Sequence, residues 1–203
     1  MVYIMITSLR SFVWKMYLKM KGAKIGKKLK LEGPLKILLR DGAKWSNVNI
    51  GNNVTFGGKV YIRLRKDGKI TLKDGVKTGT HVWLVGANNA ELLVKDNAIL
   101  GSYNIINGGH GVEIGKFCIF GAFVYINSSD HKYDKKEFIQ NQGFFGESIF
   151  IGDDVWLGGH VFINKGVKIG NGSIIGANAV VIDDIPKYSI AVGNPAKVIK
   201  KRE

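Results

Sequence analysis

A chain of 203 residues, 45% of them hydrophobic, is one domain in length and apolar enough to fill a core. Its 27 glycines against three prolines suit many tight turns and exclude a low-complexity disordered chain. A formal charge of +14 points to anionic partners, and a single cysteine, Cys118, excludes an intrachain disulfide and a cysteine-built zinc site.

The first predicted element is a helix with its cap over residues 1–22. It is apolar and aromatic, with Arg10, Lys15 and Lys19 interspersed. Arg10 and Lys15 interrupt any run long enough to span a bilayer, and no small-residue cleavage site follows, so neither a spanning helix nor a signal peptide is expected. Two roles remain open for an amphipathic segment here: covering the open end of whatever follows, or peripheral contact with the inner face of an anionic membrane.

From Ile25 onward the chain steps in sixes. Ile25, Leu31 and Ile37 form a first set; Ile50, Phe56 and Ile62 a second. Ile70, Val76, Val82, Val94, Leu100, Ile106 and Val112 form a third, with Asn88 breaking the column, and Ile114, Phe120 and Ile126 a fourth. The clearest run is the last: Ile151, Leu157, Ile163, Ile169, Ile175 and Val181, followed in turn by Gly152, Gly158, Asn164, Gly170, Gly176 and, as the lone exception, Ile182. A period of six is neither helical nor that of a plain strand. It predicts a parallel β-solenoid with one short strand and one turn per repeat, its phase slips marking insertions at turns. Cys118, inside Phe117-Cys118-Ile119-Phe120, reads as a buried structural thiol, which fits a cytoplasmic protein.

The large interruption, residues 127–150, is polar, charged and aromatic and lacks the repeat. A loop of that length in an otherwise economical fold is expected to be functional. After Asp183-Asp184-Ile185-Pro186 the chain closes with a basic tail over 189–203.

The repeat, together with Ile151-Gly152-Asp153-Asp154-Val155-Trp156-Leu157-Gly158, Val167-Lys168-Ile169-Gly170, Ile175-Gly176-Ala177 and Ala191-Val192-Gly193-Asn194-Pro195-Ala196-Lys197, resembles the hexapeptide-repeat acyltransferases. Within them it is similar to the sugar O-acetyltransferase group that includes maltose and galactoside acetyltransferases and polysaccharide-modifying enzymes. The resemblance is strong from about Ile114 to Lys200 and weak before Ile50. It implies an all-β fold, a left-handed parallel β-helix of triangular section, with 23–188 as the catalytic domain. It also implies a homotrimer with active sites between subunits, and acetyl-CoA lying along the outside of the coil with its thioester reaching the loop histidine.

On that resemblance His131, in Ser129-Asp130-His131, is the general base that takes a proton from a sugar hydroxyl as it attacks the thioester. Imidazole is the side chain whose ordinary pKa suits the task. No acyl-enzyme is expected, and a backbone N–H near Gly159 is the expected oxyanion donor. Asp130 and an asparagine of the preceding coil, Asn104 or Asn107, are candidates to orient the imidazole or hold the acceptor. Tyr103, Tyr125, Tyr133 and Phe144 offer aromatic surfaces for a sugar. Trp156, Gly158, Gly159, Gly176 and Ala177 are matched to the pantetheine channel, with Lys197 and Lys200 near the phosphates of the cofactor.

His110 and His160 are read as turn residues, and no metal is expected because no second histidine lies near His131. The function read here is acetyl transfer to a sugar hydroxyl in surface polysaccharide (capsule, O-antigen or exopolysaccharide) synthesis, on a small or lipid-linked saccharide and without nucleic acid as a partner. Three alternatives stay open: N-acylation of an amino-sugar nucleotide, a zinc-dependent hydratase, and a catalytically silent scaffold.

Overall fold

The computed structural model describes residues 2–203, with side chains from Thr7 onward; Met1, part of the predicted helix, lies outside the described residues. Among them, helix α1 (Val2–Met20) is followed by a parallel β-solenoid of about seven turns. The strands fall into three sheets that form three faces. The first face has seven strands, from Lys24–Ile25 to Lys168–Ile169; the second begins at Lys30–Leu31; the third has seven, from Leu35–Arg40 to Val180–Val181. The predicted solenoid is therefore the observed architecture.

Each strand points one aliphatic inward and its neighbours outward, as the twofold pleat requires. All six members of the Ile151–Val181 run are buried, as are Ile50, Phe56, Ile62, Ile114, Phe120 and Ile126. Ile37 is only partly buried, packed against the rim of the core. The backbone amides are satisfied between coils rather than within them, for example Gly152 N–H to Ile169 C=O at 2.8 Å and Gly158 N–H to Ile175 C=O at 2.8 Å.

Coil length explains where the six-step rhythm is audible. Between Asn49 and Thr71, side by side on adjacent coils, lie 22 positions; between Asn104 and Val124, 20; between Asp153 and Asn171, 18. Three repeats of six make an 18-residue coil, so the rhythm is clean only at the C-terminal end. The extra residues of the early coils lengthen the third face, where Leu35–Arg40 and Val60–Arg65 have six residues each against two in Phe162–Ile163.

Two segments differ from their sequence reading. The 127–150 insertion is not a plain loop: Ser129–His131 pairs antiparallel with Phe144–Gly146, making a two-stranded arm that projects from the coil. Residues 189–203 are not a free tail either. Ser189–Val192 joins the second face and Lys197–Lys201 folds back on it antiparallel, because Gly193 (φ 101°) turns the chain there. Residues 2–20 do form a helix. Leu18 is buried against the first coil, and Ser11 Oγ donates to Thr7 C=O while accepting the N–H of Leu31 at 2.9 Å.

Cys118 is fully buried and its S–H donates to the Gly152 carbonyl at 3.1 Å. Burial pushes the thiol from the ordinary 9.0 to about 11. Because the folded state holds the proton more tightly, stability from this group is complete below pH 9 and is lost as pH rises towards 11. Native protein is thus expected to resist a thiol reagent at pH 8 by about 100-fold relative to denatured protein, where the thiolate is exposed. Denaturation midpoints measured from pH 8 to 11 should fall, and Cys118→Ala should flatten that fall.

Candidate functional site

The arm and the turns that close the third face define a cleft of about 390 Å³. One wall is made by turn residues of successive coils, Asp41, Lys66, Asn88 and Gly109, and the other by Asp130, His131 and Phe144 of the arm. Its floor comes from third-face strands that pair in register. Asn107 lies beside Asn127 and donates to its Oδ1 at 2.9 Å; Asn127 Nδ2 in turn donates to the Ser129 carbonyl at 2.7 Å, fixing the root of the arm.

His131 is exposed at the rim, its ring 4.3 Å from that of Phe144 and tilted by 45°. Tyr125 lies below; burial first, and the carboxylate of Asp130 second, raise its hydroxyl pKa. Asn107 is thus in the cleft, whereas Asn104 is not. Asn104 is fully buried in the core, where its Oδ1 accepts the Val124 N–H at 2.8 Å.

Asp130 pairs with Lys165. Its Oδ2 is 2.6 Å from Lys165 Nζ, and that ammonium also sits 4.9 Å from the centre of the Phe145 ring. The pair ties the arm to the next coil, a role invisible to sequence reading because 35 residues separate the partners. His110 braces the arm from the other side, with Nδ1 2.7 Å from Ser129 Oγ and its backbone N–H donating to Ser128 Oγ at 3.0 Å.

Of the tyrosines offered to an acceptor, Tyr125 lines the cleft, and Tyr103 and Tyr133 do not. Tyr103 stands in a stack of turn residues, His81–Tyr103–Phe123–His160, with centroids 4.7–5.0 Å apart, at the opposite edge of the third face. Tyr133 is exposed on the arm, edge-on to Phe145 at 6.2 Å. Sequence reading missed a second hollow of about 280 Å³ that shares Arg65, Asn107 and Tyr125 with the cleft and is floored by Arg63 and Trp83. There Trp83 stacks on Tyr61 at 4.0 Å and the Arg63 guanidinium lies 5.2 Å from its ring. One signal was available: Ile106-Asn107 and Ile126-Asn127 repeat the same pair one coil apart.

The residues matched to the cofactor form a separate group. Trp156, Ile174, Ile190 and Lys200 lie side by side on four strands of the second face, an outward apolar row ending in a cation. Gly158, Gly159, Gly176 and Ala177 are the turns beside it. Gly158 has a structural reason of its own, since a Cβ there would meet the Ala177 N at 2.5 Å. Lys197 pairs with Asp183 at 3.1 Å. Within one chain this group and His131 occupy opposite edges of the third face, at least ~13 Å apart at the rise of an extended strand.

Residues 148–183 match the family described as bacterial transferase hexapeptide (six repeats). The match is confined to those residues. The repeat spans the last clean coils and begins at the foot of the arm.

A probable acetyltransferase of Mycobacterium tuberculosis is 39% identical over 120 residues, 59% of this chain; the chain spans only 40% of that relative. Among solved structures, AntD, an N-acyltransferase from Bacillus cereus in complex with dTDP and 3-hydroxybutyryl-CoA, aligns at TM-score 0.62 and 20% identity, over 93% of this chain and 88% of its own. The polysialic acid O-acetyltransferase OatWY aligns at TM-score 0.59 and 24% identity, over 87% and 88%. The polySia-specific acetyltransferase NeuO aligns at 0.51 and 23%, over 89% and 87%. At these identities the likeness is one of fold.

The Asp130–Lys165 pair generates a prediction about order. Lys165→Met should leave the coil intact but speed amide exchange in residues 129–146 by about tenfold, measured by hydrogen–deuterium exchange, while the core strands stay protected. Unchanged exchange in the arm would show that the pair does not hold it.

Proposed function

We propose that the protein is an acetyl-CoA-dependent O-acetyltransferase acting on a sugar hydroxyl, by direct transfer with His131 as general base. The observation that carries this reading is an exposed imidazole at the rim of a cleft walled by polar turn residues and aromatic rings, on a solenoid whose following coils, residues 148–183, match the transferase hexapeptide repeat. In the step itself, His131 takes the acceptor O–H proton as the oxygen attacks the thioester carbonyl. The tetrahedral intermediate collapses with loss of the CoA thiolate, and the imidazolium returns the proton to sulfur, giving acetyl ester and free thiol. Asn107 and Asn127 are placed to hold neighbouring acceptor hydroxyls. Tyr125, Phe144 and Trp83 offer the flat apolar surfaces on which a sugar ring stacks, with Arg63 and Arg65 beside them for acidic groups.

The outward row from Trp156 to Lys200 fits a pantetheine arm ending in phosphates. Its separation from His131 within one chain supports a homotrimer in which the row of one subunit faces the arm of the next. A cytoplasmic setting, where acetyl-CoA is made, and an acceptor destined for surface polysaccharide complete the reading. A second reading has its own support: AntD is an N-acyltransferase seen with a dTDP-amino sugar and Coenzyme A, and its fold aligns over nearly all of this chain. Under that reading the same base would serve an amine on a sugar nucleotide.

The deciding experiment is free-thiol release from acetyl-CoA with neutral saccharides, acidic saccharides and amino-sugar nucleotides as acceptors. Hydroxyl acceptors should support turnover, His131→Ala should lower kcat by about 10²-fold or more, and Asn107→Ala should raise KM. Turnover only with amino-sugar nucleotides would replace the O-acetyl reading, and release unaffected by His131→Ala would remove the base. If sites are shared between subunits, mixing inactive His131→Ala with an inactive Trp156→Ala/Lys200→Ala variant should restore activity, because some interfaces then carry both intact halves.

A further inference from the structure

The outer face of α1 has no role in the site and an unusual composition. Leu9, Phe12, Val13, Met16 and Met20 are all exposed, Leu9 at 65%, Phe12 at 64% and Met20 at 82%. At the helical period they fall on one stripe about 100° wide, while Thr7, Ser11 and Leu18 occupy the opposite, buried side. The helix thus turns Thr7, Ser11 and Leu18 inward, with Ser11 Oγ donating to the Thr7 carbonyl and accepting the Leu31 N–H, and its apolar stripe outward. That is the reverse of a helix whose only task is to cover the end of a core.

The flanks of the stripe select what covers it. Lys15 and Lys19 border one side and Arg10 the other. The first 31 residues hold eight cations and no acidic residue, the first being Glu32. Beside Phe12, at the edge of the stripe, a recess of about 610 Å³ is lined by Lys15, Lys28 and Lys30 together with Ser8. An apolar stripe for insertion, bordered by cations and a lysine-lined recess for anionic groups, is complementary to a lipid surface bearing phosphates. A second copy of this chain would bring the same unbalanced positive charge against itself. No helix among the described residues is long and apolar enough to cross a membrane, so the contact is one of lying on the surface.

We infer that α1 is a membrane-docking element: it lays Leu9, Phe12, Val13, Met16 and Met20 into the interface of an anionic bilayer, with the Lys15–Lys28–Lys30 recess taking a lipid headgroup phosphate. This does not depend on the activity proposed above. It does place the cleft: the floor strand Tyr125–Asn127 lies four strands along the third face from Leu35–Arg40, roughly 19 Å at the usual strand spacing. The cleft is then held within reach of a saccharide attached to a lipid in the same surface.

The test uses the full chain with phosphatidylglycerol-rich vesicles and with pure phosphatidylcholine vesicles, in co-sedimentation. Binding to the anionic vesicles should exceed that to neutral ones by about tenfold or more and should weaken as salt is raised. Phe12→Glu/Met16→Glu should lower it by about tenfold or more, and Lys15→Glu/Lys28→Glu should do the same while removing the salt dependence. These positions are at the surface, and circular dichroism checks the fold; the charge-reversal pair keeps the test decisive if the apolar pair fails to fold. Because Cys118 is buried, a polarity-sensitive dye on Met16→Cys should report insertion by a blue shift with anionic vesicles alone. Equal binding to both vesicles, absence of binding, or a Phe12→Glu/Met16→Glu variant that binds as wild type would overturn the inference. So would self-association of wild type that this variant abolishes, since a second copy would then cover the stripe.

Discussion

Every feature of this protein depends on one constraint: a coil of the solenoid has no core of its own. Its inward aliphatics are buried by the coils above and below, and its backbone amides bond mostly to those neighbouring coils. Turns must therefore stack as closely as strands. Gly158 against Ala177, and Gly115, whose Cβ would meet the Gly152 backbone, show how little room is left. The same demand accounts for the exceptions inside the core. Asn104 is buried there with its Oδ1 accepting the Val124 N–H of the next coil, while its Nδ2 has no partner among the described residues.

Within that constraint the coils are free to vary in only one direction, outward. The early coils spend their additional residues on a wider third face, and the fifth spends many more on the antiparallel arm. The cleft is the space between these two departures. Turn residues of four coils make its far wall, and the arm, held by Asp130 to Lys165 and by His110 to Ser129, makes the near one. The cleft thus lies where the repeat is broken, on a scaffold that is regular elsewhere.

The positive charge is distributed on the same logic. Inside the coil stack it is paired along the faces, as in Lys95 with Glu113, whose contact raises the lysine pKa, and Lys69 with Glu91. The surplus collects at the two ends: around α1, where acids are absent, and along Lys197–Lys201, where the last strand closes the second face. Ends are the places where a solenoid meets something other than itself, and at both the cations lie beside exposed apolar side chains.

Sequence alone determined the solenoid, its aliphatic columns, the buried Cys118 and the location of the departure that carries His131. These are facts of local period and composition, which each coil repeats. It also paired Trp156 with Lys200 by resemblance, and the structure sets them in one row. Only the tertiary structure decided which side chains share a site. It put Asn107 in the cleft and Asn104 in the core, gave Asp130 to Lys165, removed Tyr103 and Tyr133 to other surfaces, brought in Arg65 and Lys66, and made a strand of the basic tail. The reason is coil length. Lateral neighbours here lie 16, 18, 20, 22, 25 or 37 residues apart, depending on the coil, and only the folded backbone fixes which of these applies at each turn.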